Sequence, residues 1–270
     1  MVVRQLAAEG TPVLALARSA DSDAARELAG LANVEVRQGD VRELASLKSA
    51  AAGCENIVAC YGMRPPRFPK LSDIWTDPFE DAAHPANINF KGVENIISAS
   101  KATGVKRVVR LTGLSVGLSP WSPISILFSI VLSFSNMWNR RGEMLLRESG
   151  LDYTIVRPGG LKDDPPAKER GDRLLLASES WGDDQPPATT GISRADVASL
   201  LCLSLGTVHA RAHTHTHRER ERERRNAWQR KLVRMLQTQT LDPKPQAPIR
   251  FIWDGMKTED AHMCVLFYAG

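Results

Sequence analysis

The residues of this chain that could do chemistry stand at the ends of short apolar runs. The clearest case is Leu151–Gly160, LDYTIVRPGG. Tyr153-Thr154-Ile155-Val156 is rich in β-branched and aromatic residues and reads as a buried strand, stopped by Pro158-Gly159-Gly160. Asn139–Ser149, just before it, has a helical pattern that stops at Gly150. Helix, glycine, apolar strand and then Pro-Gly-Gly is the order expected in a parallel α/β sheet, where ligands bind beyond the carboxyl ends of the strands. Pro158, Gly159 and Gly160 therefore stand where a cofactor or substrate would sit; the competing reading is a plain turn.

Other reactive residues carry less. Cys54, Cys60, Cys202 and Cys264 have no CxxC spacing and read as reduced, mostly buried thiols. His213, His215 and His217 alternate with threonines and have no acidic or Cys partner nearby, so no metal site is expected. Arg211–Arg234 holds nine Arg/Lys and three Glu, more positive than the chain's net +4, so the rest is slightly acidic. The interleaved glutamates argue against a nucleic-acid-binding surface, and no nucleic-acid partner is expected.

Positioning these residues takes a sizeable fold. The 270 residues, 43% apolar and 24% charged, describe an ordinary soluble globular protein. The opening MVVRQLAAEG is an amphipathic helix start and not a signal peptide. The apolar run Ile124–Phe134 is shorter than the roughly 20 residues a bilayer crossing needs. It reads as a helix packed on a sheet, and no transmembrane segment is expected.

In order, the pattern predicts a helix over Met1–Gly10 and a strand over Pro12–Ala17 closed by Arg18-Ser19. A helix over Asp21–Leu31 leads to a strand over Val34–Arg37, followed by Gly39-Asp40-Val41. A helix over Leu44–Ala52 stops at Gly53, and a strand follows over Asn56–Tyr61. Gly62–Pro85 is a proline-rich loop. Asn87–Thr103 is a helix stopped by Gly104, and Val105–Thr112 a strand ending in the turn Gly113–Gly117. Later come a short strand at Arg173–Ala177 and a helix, capped by Ser193, that runs to about Leu205. This alternation predicts the α/β class, as a Rossmann-like doubly wound parallel sheet.

Such a sheet should open with a strand and a G-x-G-x-x-G turn that lets a pyrophosphate reach a helix N-terminus. This sequence begins within the helix that follows that turn. The absent strand is normally central, and its loss would leave unpaired backbone groups. Either the sequence is N-terminally truncated, which is the favoured expectation, or another segment fills the slot. The C-terminal region is irregular and of low complexity. HTHTH and RERERER within 212–225 are what alternating dinucleotide repeats give when translated, so this stretch reads as translated non-coding sequence; otherwise it is a charged helix or disordered. Pro248–Asp254 reads as a strand.

Gly39-Asp40-Val41, NINFKGVENIISASKATGVKR running into VVRLTGLS, RRGEMLLRESGLDYTIVRPGG and ISRADVA, in this order, closely resemble the atypical short-chain dehydrogenase/reductases of the NmrA-like, NAD(P)H-binding kind. The resemblance spans Met1 to about Leu205. It implies an NAD(P)-binding Rossmann-like domain over 1–206; beyond it, composition reads as a low-complexity charged insertion over 207–247 and a C-terminal segment of unclear role over 248–270. Arg18, with Ser19, ends the strand where an arginine favours a ribose 2′-phosphate, which implies NADP over NAD. Asp40, with Val41, matches the motif whose acid faces the adenine; the alternative is a helix-capping aspartate. Cys60, Tyr61 and Gly62 would lie along the ribose and nicotinamide side. Asn95 matches a structural asparagine that bridges backbone. Thr112, Gly113 and Ser115 fall in the substrate-side serine region, and Pro158, Gly159 and Gly160 at the nicotinamide-side turn.

The sequence departs from the wider superfamily at its Tyr-x-x-x-Lys pair, in which the Lys lowers the Tyr pKa for proton transfer. The corresponding helix holds Ser135, Asn136, Asn139 and Arg140 and no Tyr or Lys. Tyr61 has only its location to recommend it as a substitute acid, and no catalytic residue is assigned. The expectation is an NADP-dependent oxidoreductase of a small organic substrate. The alternative is a non-catalytic NADP-sensing or scaffold protein with a protein partner. The compartment is either cytoplasmic or organellar.

Overall fold

The computed structural model describes residues 1–62, 77–117, 135–170, 191–206 and 262–267. The first half alternates as its sequence pattern requires: α1 (Val2–Ala8), β1 (Val13–Ala17), α2 (Asp23–Ala29), β2 (Val34–Gln38), α3 (Leu44–Ala51) and β3 (Cys54–Cys60). A π-helical turn (Ala86–Lys91) leads into α4 (Gly92–Thr103) and β4 (Arg107–Leu111), and a short 3-10 turn follows at Leu114–Gly117. Next come α5 (Ser135–Glu148), β5 (Asp152–Val156), β6 (Leu161–Lys162), the short α6 (Ala167–Arg170), β7 (Ile192–Ser193) and α7 (Arg194–Gly206). The last described element is β8 (His262–Phe267).

Six strands form one parallel sheet in the order β2-β1-β8-β3-β4-β5. All five residues of β1 are buried, because helices cover both faces of the sheet. Leu14 and Leu16 pack on the side of α3, α4 and α5, with Leu47, Ile96 and Leu146. Val13 and Ala15 point the other way, to Val3 and Leu6 of α1, Leu28 of α2 and Val197 and Leu201 of α7. The period-two alternation of side chains thus feeds two cores from one apolar run.

The central slot is filled by β8. Val13 pairs with Met263 on one side of it and Ile57 with Cys264 on the other. β1 and β3 are joined through this strand. A run from the far end of the chain therefore completes the hydrogen bonding that the sequence pattern left open.

One expectation needs correction. Asn87–Thr103 is not one regular helix: its first turn is π-helical, a wider winding that turns the Asn89 carbonyl away from the helix ladder toward a side chain of β4. The two-stranded pairing of β6 with β7 was also not anticipated, since each strand is only two residues long. Other expectations hold. Gly104 and Gly150 end α4 and α5 with φ of +78° and +79°, a region that favours glycine. Ser193 caps α7 by accepting from the Asp196 amide at 3.0 Å. The Asp196 carboxylate in turn accepts from the Ser193 hydroxyl at 2.7 Å and from the Ala167 amide, which docks α6. Ile124–Phe134, Arg173–Ala177, the 212–225 tract, the three alternating histidines, Pro248–Asp254 and residues 63–76 lie outside the described residues. Among the described residues, no helix is long and apolar enough to cross a membrane.

Candidate functional site

Because every strand of the main sheet is parallel, all its carboxyl ends open on one rim. The sequence-predicted residues line that rim: Arg18 and Ser19 after β1, Asp40 and Val41 after β2, Cys60, Tyr61 and Gly62 at β3, Thr112 and Gly113 after β4, and Pro158, Gly159 and Gly160 after β5. The helices that follow the strands start at the same rim, which brings Ser135 and Asn136 there from α5.

At the β1–β2 end the partners of the Asp40 carboxylate are local. Gly39 lets the chain turn tightly, since a Cβ there would meet Leu16 at 2.6 Å. Asp40 accepts the Arg42 amide at 2.9 Å in an Asx turn and pairs with the Arg42 guanidinium at 2.5 Å. It does not cap α3, whose N-cap residue is Glu43. Burial pushes the Asp40 carboxyl up, but hydrogen bonds and charge from Arg42, with a further contribution from Arg18, carry it below its ordinary value. Arg18 and Asp40 thus feel each other at one corner of the rim. Val41 is buried, and its carbonyl accepts from Asn95 Nδ2 at 3.0 Å, the backbone bridge expected of that asparagine.

The β3–β5 end is built differently. Arg110 of β4, 2% exposed, donates to the Tyr61 hydroxyl at 2.7 Å, to Asn139 Oδ1 at 3.0 Å and to the Asn89 carbonyl at 3.2 Å. Its guanidinium also lies 5.3 Å from the centre of the Tyr61 ring. Glu143 of α5, 1% exposed, accepts from Thr112 Oγ1 at 2.7 Å and pairs with the Arg157 guanidinium through two nitrogens. Arg157 immediately precedes Pro158-Gly159-Gly160, so Glu143 anchors that turn to α5. The Leu114 amide donates to the Pro158 carbonyl at 2.8 Å, tying the turns after β4 and β5 together. Ser115 Oγ donates to Asn136 Oδ1 at 3.2 Å.

Tyr61 is thus packed under the rim and tied to Arg110. Its phenol faces the core, burial pushes its pKa up, and Arg110 only partly opposes that rise. Burial likewise pushes the Cys60 thiol up, to about 11, which disfavours its thiolate.

Sequence reading missed Arg110, Glu143 and Arg157. A signal was available: a charged residue within the apolar strand RVVRL, and a glutamate beside Gly142 and Leu146 on the inward face of α5. Neither signal names a partner, since Tyr61 and Arg110 are 49 residues apart and Thr112 and Glu143 are 31 apart.

The glycines of the rim are uncrowded. Among the described residues, a Cβ at Gly62 or Gly160 would meet nothing within 4 Å, and one at Gly113 would meet only Ser115 Oγ, at 3.9 Å. Open backbone at three adjacent strand ends, with a guanidinium at the far corner, fits a long, flat, anionic ligand.

Parallel sheet, two helical layers and an open rim define a dinucleotide-binding α/β protein. The chain belongs to the NAD(P)H-binding family, whose family model matches residues 1–207. An uncharacterized chloroplastic protein of Arabidopsis thaliana is 35% identical over 183 residues, which are 66% of this chain and 53% of that protein. Sanguinarine reductase of Eschscholzia californica is 34% identical over 123 residues, 44% of this chain and 41% of that enzyme. The chain thus spans about half the length or less of these relatives. A short-chain dehydrogenase/reductase structure from Veillonella parvula shares the fold, with a TM-score of 0.55 at 18% identity, covering 77% of this chain and 81% of that one.

Proposed function

We propose that this protein binds NADP(H) along the rim and acts as an NADPH-dependent reductase of a small organic substrate. The observation that carries the cofactor preference is Arg18 at the end of β1, beside Asp40 and opposite the β3–β5 end. A guanidinium there suits a ribose 2′-phosphate, whereas an acidic residue would suit a free 2′-hydroxyl. Bound along this rim, the reduced cofactor would supply a hydride at the β4–β5 end. There Glu143, Thr112 and Arg157 hold the backbone turns in place, and Gly113 and Gly160 keep the approach open. The likeness to a named reductase supports this reading, and the chloroplastic relatives support an organellar location.

One observation favours a second reading, a non-catalytic NADP sensor or scaffold: α5 carries neither Tyr nor Lys. Deuterium-labelled NADPH, incubated with the protein and a panel of quinones, aldehydes and ketones, separates the two. The reductase reading expects deuterium on carbon in a product. Saturable NADPH binding with no label transfer across the panel would favour the sensor.

A further inference from the structure

We propose that Arg42 sets the cofactor preference together with Arg18, by neutralising the Asp40 carboxylate that would otherwise cancel the Arg18 charge at the 2′-phosphate position. The assignment rests on the NADP reading above. It makes Arg42 a positioning residue, one that acts through Asp40 and need not touch the nucleotide.

The backbone brings Arg18 and Asp40 to one corner. Ala17 and Gln38 are the last paired residues of β1 and β2, and the Gly39 amide donates to the Ala17 carbonyl at 2.9 Å. Arg18 and Asp40 therefore leave neighbouring strand ends almost level with each other. An Asp40 carboxylate with no other partner would be a counter-ion for the Arg18 guanidinium. A ribose 2′-phosphate would then meet a corner with no net charge and an anion within it.

Arg42 alters that balance. Its Nε donates to Asp40 Oδ1 at 2.9 Å and its Nη2 to Oδ2 at 2.5 Å, a two-point pairing of guanidinium with carboxylate. The Arg42 amide also donates to Oδ1, at 2.9 Å. Nη1 donates to the Ala82 carbonyl at 3.0 Å, which holds the guanidinium in place from the far side. The Asp40 side chain is 13% exposed, so solvent screens this pair less than an open surface pair. Asp21, Asp23 and Glu43, the other carboxylates close by in sequence, are exposed and well screened. Two guanidinia and one carboxylate leave the corner with a net positive charge. NADH, with a free 2′-hydroxyl, gains little from that charge, whereas the 2′-phosphate of NADPH gains directly.

The test is the ratio of NADPH to NADH affinity in the full chain, from fluorescence titrations of each variant with both nucleotides. Loss of packing, or of the Ala82 tether, weakens both nucleotides and leaves the ratio alone; a change of charge moves it. Arg42→Ala should lower the preference for NADPH about fivefold, and Arg42→Lys, which keeps the charge, should hold it within about twofold. Asp40→Asn should raise the preference about fivefold. Combined with Arg42→Ala, it should restore the ratio of the unmodified chain, although the tether to Ala82 stays lost. An unchanged ratio in Arg42→Ala, or one that Asp40→Asn fails to restore, overturns this assignment and leaves the Arg18 reading standing. Should Arg42→Ala not fold, Asp40→Asn alone decides, and an unchanged or lowered preference overturns the assignment. Equal affinity of the unmodified chain for the two nucleotides overturns the NADP reading and this assignment with it.

Discussion

The two ends of the rim differ in how their charged side chains are held. At the β1–β2 end, Asp40 is held by Arg42, two residues away, and Arg18 stands at the corner with it. At the β3–β5 end, polar side chains are sunk under the strand ends and cross-linked over 14 to 49 residues of chain. β8 is the seam that joins the two ends, pairing with β1 on one side and β3 on the other. A charged side chain held by a sequence neighbour can change at small cost to the fold. An end built from a buried network sets geometry, and any change to it is felt in stability first.

The largest effect should come from the seam. Removing His262–Phe267 leaves the inner edges of β1 and β3 without partners, and the halves of the sheet should no longer unfold together. Circular dichroism during urea titration should show loss of the single cooperative transition; an unchanged transition would mean that the halves hold together without β8.

Next is Glu143→Ala, which removes the buried carboxylate that holds Arg157 and takes the acceptor from the Thr112 hydroxyl. It should cost about 3–5 kcal/mol, read from the denaturation midpoint. Gly142→Ala tests the same end by shape. A Cβ there would stand 2.3 Å from the Asn89 carbonyl oxygen, so α5 must move off the π-helical turn, at about 1–3 kcal/mol.

At the other end, Arg18→Ala should weaken NADPH binding about tenfold, with NADH binding unaffected. Equal loss for both nucleotides would place Arg18 away from the 2′ position.

The smallest effect concerns pH. The folded Asp40 carboxyl titrates below its ordinary value, so its contribution to stability is full above that ordinary value and is lost as pH falls through the folded pKa. Asp40→Asn should therefore lower stability slightly near neutral pH, leave it nearly unchanged at acid pH, and so flatten the acid limb of a stability-versus-pH curve.

How much of this was legible in the sequence follows the same division. Gly104, Gly150 and the Ser193 cap act within a few residues, and the sequence names them. The alternation of helix and strand is local too, so the sheet and its rim were predictable from it. β8 was not, because HMCVLF is a short apolar run whose neighbours in the sheet lie at the other end of the chain. The Arg110 and Glu143 clusters were hidden for the same reason: sequence shows a charge in an apolar pattern but not which distant group satisfies it. The π-helical turn at Ala86–Lys91 depends on Arg110 and Gly142 arriving from β4 and α5, and the local pattern predicts only a helix there.

The claim on which the rest depends is that Arg18 sets the cofactor. Paired fluorescence titrations of the unmodified chain with NADPH and with NADH measure it directly. The account predicts saturable binding of both, with NADPH the tighter by about tenfold or more. Equal affinity for the two, or no saturable binding of either, would contradict it.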